Sequence, residues 1–159
     1  MSTWENNLLI TKYTDAADVA RIKDYECISR MLEERFCEYG DNLALVDNGV
    51  NYTYKDLDGK VGALRKALID KGIKAGDRVG VFYPNCADFV IASLAVITSG
   101  AVAVLLPYQL DEMTLFGCSM KYKIKGIISS TGLNDKLNFA YEKNPALIKI
   151  EADKVEQGY

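Results

Sequence analysis

The sequence predicts an α/β protein: a doubly wound, mostly parallel sheet with helices on both faces, plus a small β-hairpin. Three observations predict it. Short apolar runs at 78–83, 101–106, 124–128 and 146–150 have strand length, and their starts are spaced 23, 23 and 22 residues apart. The stretches between them, 86–98, 111–122 and 133–142, have helix length, which makes each step a βα unit with a right-handed crossover. Upstream, Asn48-Gly49 separates two apolar runs, Leu43–Val46 and Val50–Tyr54. Asn-Gly accepts positive φ at both central turn positions, so a hairpin is expected over 43–54.

Taken in order, residues 1–26 read as a polar, weakly periodic arm in which Trp4 and Tyr13 are the groups able to pack. Residues 27–159 read as one α/β unit, undivided by any linker or low-complexity stretch. Ile28, Met31, Leu32 and Phe36 recur at helical spacing within Cys27–Tyr39, and Gly40 is the stop. Thr53 and Asp56 have the spacing of a capping box that opens the next helix. Leu57, Val61, Leu64 and Leu68 form its apolar stripe, and Gly72 ends it. The strands at 78–83 and 101–106 are near-continuous Val/Leu/Ala runs, as expected when both sheet faces are covered. Val79, Val81, Leu94, Val102, Val104 and Ile127 are therefore expected to be almost fully buried.

Composition excludes several functions. Net charge is −3, and the 19 Lys and Arg are scattered, with no run longer than two, so no nucleic-acid footprint is present. The chain has no His, which removes imidazole base catalysis, Ser-His-Asp and Cys-His pairs, and His-ligated zinc. Cys27, Cys37, Cys86 and Cys118 contain no Cys-x-x-Cys pair, which leaves a thiolate metal cage or redox pair unsupported. Cys86 and Cys118 fall in apolar surroundings, as small hydrophobes do. These cysteines, and a start at Met1–Tyr13 without a signal-peptide pattern, point to the reducing cytoplasm. Phe89–Leu106 is broken by Ser93, Thr98, Ser99 and Gly100, and reads as core, not as a transmembrane segment.

The positions where chemistry could sit have plainer readings. The first βα turn, Tyr83-Pro84-Asn85-Cys86-Ala87-Asp88, lacks the glycines that let backbone approach a dinucleotide pyrophosphate. Asn85 reads as a helix N-cap, with Asp88 in the first turn. Ser129-Ser130-Thr131-Gly132 has too few glycines for a phosphate cradle, and Asp135 would repel phosphate. It reads as a turn with Ser/Thr capping. Asp111-Glu112 reads as capping and not as a catalytic pair, and Gly76-Asp77 as turn chemistry ahead of Arg78. Tyr83, Leu106 and Ser129, at the strand ends, offer no phosphoacceptor Asp. No catalytic and no metal-binding residue is assigned, and no cofactor-binding residue is identified.

One resemblance organises these pieces. Leu43-Ala-Leu-Val46, Thr53-Tyr54-Lys55-Asp56-Leu57, Gly72-Ile73, Gly76-Asp77-Arg78-Val79, Pro84-Asn85, Phe89 with Ala92, and Ser99-Gly100-Ala101-Val102 occur in order. Together they resemble the N-terminal segment of the acyl-adenylate-forming (AMP-binding) ligases of acyl-CoA synthetase type. Gly126-Ile127-Ile128, Gly132-Leu133 and Ile148-Lys149-Ile150 extend the likeness over about 27–159. It implies an ATP-dependent enzyme that activates a carboxylic acid as acyl-AMP and passes it to a thiol such as coenzyme A, with Mg²⁺. The family's Ser/Thr/Gly-rich phosphate loop, its Tyr-Gly-x-Thr-Glu segment, its ribose-binding Asp and its C-terminal catalytic Lys match no position here. Leu105-Leu106-Pro107-Tyr108-Gln109 departs from the family's Pro-rich run, and 111–125 lacks the Arg that some coenzyme A ligases place there. The partners implied are the nucleotide-binding and C-terminal domains of the ligase, and the expectation is that these 159 residues alone are inactive. The alternative from the residues themselves is a stand-alone, non-catalytic α/β binding or interaction module.

Overall fold

The computed structural model describes residues 23–156. Trp4, Tyr13 and most of the expected arm lie outside the described residues. Helix α1 (Ile28–Glu38) buries Phe36 and ends two residues before Gly40. Strands β1 (Leu43–Asp47) and β2 (Val50–Thr53) form the expected antiparallel hairpin. Its turn has φ of 49° at Asn48 and 81° at Gly49, the two positive values that Asn-Gly tolerates.

Helix α2 (Tyr54–Asp70) starts on the predicted capping box: the Asp56 N–H donates to the Thr53 hydroxyl oxygen at 3.1 Å, and the Thr53 N–H donates to the Asp56 carboxylate at 2.8 Å. Its stripe Leu57, Val61, Leu64 and Leu68 is buried, each Leu or Val contributing about 1.5–3 kcal/mol. Gly72, at φ 85°, lets the chain turn away.

A regular alternation follows: β3 (Arg78–Phe82), α3 (Ala87–Thr98), β4 (Val102–Leu106), α4 (Glu112–Lys121), β5 (Ile124–Ser129), a 3₁₀ turn at Thr131–Leu133, α5 (Asn134–Lys143), β6 (Ile148–Glu151) and α6 (Ala152–Glu156). The four strands form one parallel sheet in the order β4-β3-β5-β6. β3 shows why this is a three-layer structure. Val79, Val81 and Tyr83 project into the core shared with α2 and α3, while Phe82 projects to the opposite side among Leu115, Ile127 and Leu137. Helices α2 and α3 pack together on one face, and α4 and α5 on the other.

The expected core holds for Val79, Val81 and Ile127, all fully buried. It fails elsewhere. Val102 is 48% exposed, and Val104 and Leu94 are only half-buried. β4 is an edge strand, and α4 leaves it to pack on β5 and α5, so the helical layers do not cover its full length. Leu94 lies beside the buried face of α3, which is made by Ile91, Ala92, Ala95 and Val96.

Candidate functional site at the carboxyl edge of the sheet

In an open parallel sheet, ligands bind beyond the carboxyl ends of the strands. A cleft of about 330 Å³ opens there, between the ends of β3 and β4. It exists because Phe82 and Leu106 are register partners, so Tyr83-Pro84-Asn85 and Pro107-Tyr108-Gln109 leave the sheet side by side. Phe89, from the first turn of α3, completes it. The loop after β4 is held from below. Tyr108 stacks obliquely on Phe82, with centroids 6.0 Å apart. The Lys136 ammonium lies 4.1 Å from the Tyr108 ring centroid and donates to the Tyr108 carbonyl oxygen at 3.0 Å. The lining thus offers aromatic faces, two prolines and the amides of Asn85 and Gln109, with no charged side chain.

The helix N-termini along this edge are occupied by the protein's own carboxylates. The Ala87 N–H, at the start of α3, donates to Asp47 of the hairpin at 2.8 Å. This corrects the expectation that Asn85 caps α3. The N-cap residue is Cys86, which makes no side-chain cap bond, and the acceptor arrives from 40 residues upstream. The Thr131 N–H donates to Asp153 of α6 at 3.0 Å, so the 129–132 turn is not held by Ser/Thr capping either: Ser130 makes no side-chain cap bond. At α4 the expectation holds. Asp111 accepts from the Thr114 N–H at 2.9 Å and from its hydroxyl at 2.7 Å, and these bonds hold the Asp111 carboxyl below its usual range. Each such carboxylate takes the place a phosphate would use.

Two charge clusters lie away from the cleft. At the amino edge, Asp77 accepts from the Lys74 N–H at 2.7 Å and pairs with Lys125 at 2.5 Å, which lowers its pKa. Gly76-Asp77 is turn chemistry, as read, and the partner of Asp77 is Lys125. Arg78 instead donates to the Tyr122 carbonyl oxygen at 3.2 Å. At the end of β6, Glu151 is pulled down to about 2 by Lys154 at 2.6 Å, Asn134 at 2.8 Å and Lys149 at 3.4 Å. Ser129 Oγ and Asn134 Oδ1 are buried beside it without a hydrogen-bond partner. Among the described residues, no group of His, Cys, Asp and Glu is arranged to hold a metal ion. No helix there is long and apolar enough to cross a membrane.

The cleft residues were not assigned from sequence. The sequence marks Tyr83 and Leu106 as strand ends, but their adjacency depends on β3 and β4 being register neighbours. The usable signal was the pair of prolines, Pro84 and Pro107, each one or two residues past a parallel strand.

The fold agrees with the comparisons to known proteins. The family model of the AMP-binding enzymes matches residues 32–157. Equisetin synthetase eqxS of Fusarium heterosporum is 36% identical over 97 residues, 57% of this chain and 2% of that protein. The acetyl-coenzyme A synthetase of Halorhodospira halophila is 38% identical over 84 residues, 49% of this chain and 12% of that protein. The benzoate CoA ligase of Burkholderia xenovorans LB400 superposes with a TM-score of 0.75 at 16% identity, over 84% of this chain and 29% of that one, and shares its fold. The chain belongs to the AMP-binding enzyme family and carries the N-terminal portion of its α/β domain. It spans a small part of the length of these relatives.

Proposed function

We propose that this chain is the N-terminal portion of an ATP-dependent, AMP-forming acid–thiol ligase, in which residues outside these 159 carry the phosphate and metal chemistry. The observation that carries this reading is the family match over 32–157, set beside a carboxyl edge whose cleft has no charged lining. Transfer of AMP to a carboxylate needs donors around three phosphates and a cation to offset the charge on the departing pyrophosphate. The described residues do not fit MgATP: the helix N-termini at this edge hold Asp47, Asp111 and Asp153. No step of adenylation is therefore assigned to them. Their part is to build one wall of the site and the sheet on which the remaining domains sit. Coenzyme A or another thiol is the proposed acceptor in the whole enzyme. Four free cysteines fit work in the reducing cytoplasm.

The test is pyrophosphate exchange with a panel of short, long and aromatic acids. The 159-residue chain should show none, and the protein encoded by the uninterrupted reading frame containing it should show exchange. Exchange by the 159 residues alone would refute the division of labour. No exchange by a longer protein that carries the phosphate loop would favour a non-catalytic family member.

A further inference from the structure

Lys and Arg are scattered in the sequence, but the topology gathers six of them at one end of the sheet. From last helix residue to first strand residue, the segments that enter the four strands are 70–78, 98–102, 121–124 and 143–148. They carry Lys71, Lys74, Arg78, Lys121, Lys123 and Lys143, all exposed, against two carboxylates. Both carboxylates are neutralised by lysines outside this set: Asp70 by Lys66 at 2.8 Å and Asp77 by Lys125 at 2.5 Å. None of the six cations is in an ion pair among the described residues. The segments that leave the sheet, bounded the same way, carry Asp111, Glu112 and Glu151 and no cation. A chain of net charge −3 thus has a basic amino edge opposite an acidic carboxyl edge. The basic segments form one surface. Lys125 donates to the Gly72 carbonyl oxygen at 2.8 Å, Arg78 to the Tyr122 carbonyl oxygen at 3.2 Å, and the Asn144 amide meets Met120 Sδ at 4.0 Å. Cations suit the C-termini of α2, α4 and α5, which end here. That does not account for the apolar side chains left open among them: Ile69 is 50%, Met120 55% and Tyr122 42% exposed.

We propose that the amino edge of the sheet docks on an anionic lipid surface, with the six cations over the headgroups and Ile69, Met120 and Tyr122 entering the interfacial layer. Clustered cations with interleaved apolar and aromatic side chains are the chemistry that a negatively charged bilayer selects. The shape favours a membrane over an acidic polypeptide. The cationic segments precede β3, β5 and β6, neighbours in the sheet, and so spread over roughly 10 Å along its edge. They also cross all three layers, since α2 lies on one face of the sheet and α4 and α5 on the other. That is a broad face, not a groove for one extended chain. The charge asymmetry orients the protein as well: the amino edge faces the bilayer, and the Tyr83–Gln109 cleft at the opposite edge faces the solution. This docking does not depend on the ligase reading.

The test is co-sedimentation of the protein encoded by the uninterrupted reading frame with vesicles of phosphatidylcholine, with and without phosphatidylserine. Binding should require phosphatidylserine and should vanish when salt shortens the Debye length to about 3 Å. Each lysine near an anionic bilayer is worth about a fivefold gain, so Lys74→Gln, Lys121→Gln and Lys123→Gln together should lower partitioning about 100-fold. Ile69→Ser with Met120→Ser should lower it about tenfold at unchanged charge. The salt dependence of the parent carries the test if a variant does not fold. No binding, equal binding to the two kinds of vesicle, or binding that ignores either variant overturns the proposal. Retention on immobilised polyglutamate without vesicle binding assigns the face to an acidic polypeptide and overturns it too. The triple variant should retain the pyrophosphate exchange of its parent, because the cleft lies at the other edge. Loss of vesicle binding with exchange intact therefore separates this surface from the ligase reading, and absence of exchange in both proteins counts against that reading alone.

Discussion

Gly80 and Gly126 mark where strands and layers come closest. A Cβ on Gly80 would lie 2.9 Å from Leu106 Cδ1, the end of a side chain that can swing aside, and 3.2 Å from Ile127 Cγ1. A Cβ on Gly126 would meet the Ile148 carbonyl oxygen at 3.0 Å and Ile148 Cβ at 3.1 Å, both fixed by the sheet. Overpacking of this kind costs about 1–3 kcal/mol. Gly126→Ala should therefore fall at the upper end of that range and Gly80→Ala at the lower, read as urea midpoints at constant slope. Equal losses would mean that β6 moves as freely as a leucine side chain. Sequence alone does not separate the two glycines, since both stand inside apolar runs and the difference is what faces them across the sheet.

The elements were legible wherever local chemistry decides them. Asn48-Gly49 sets the hairpin, and the Thr53–Asp56 box sets the start of α2 to the residue. Thr53→Ala removes one acceptor and should cost about 1 kcal/mol, while Thr53→Ser should retain most of the stability. A loss as large in the serine variant would show that the Thr53 methyl group, not its hydroxyl, matters. The β-strand spacing also held, because strand length and helix length are both written in the pattern of apolar runs. Caps borrowed from distant elements were not legible. Nothing local tells Asn85 that Asp47 will reach Ala87, or tells Ser130 that Asp153 will reach Thr131. The exposure of Val102 escaped for a related reason: an edge strand and a central strand have the same apolar wording, and strand order alone separates them. The cleft shared that fate, since its walls come from strand neighbours 24 residues apart in sequence.

For the molecule as a whole, acid is the informative stress. Glu151 joins β6, α5 and α6 through Lys149, Asn134 and Lys154, and its pKa is pulled from an ordinary 4.5 to about 2. A lowered folded-state value stabilises the fold fully above pH 4.5, and that stabilisation is lost as pH falls towards 2. Glu151→Gln should therefore lower the melting temperature at pH 6, and the gap from the parent should close by pH 2. A constant gap would mean that the carboxylate charge is not what matters. Asp77, lowered by Lys125 and the Lys74 N–H, acts in the same direction at the other edge of the sheet. The bond from Ala87 to Asp47 has a consequence in time as well as in space. It joins groups 40 residues apart, so it forms only after the hairpin has docked on α3. We expect this contact to form after the folding nucleus. Asp47→Ala should leave the refolding limb of a chevron plot in place and raise the unfolding rate about fivefold, as a loss near 1 kcal/mol requires. The hairpin then acts as a latch that sets how long the native state lasts, while the parallel sheet beneath it sets how fast that state is reached.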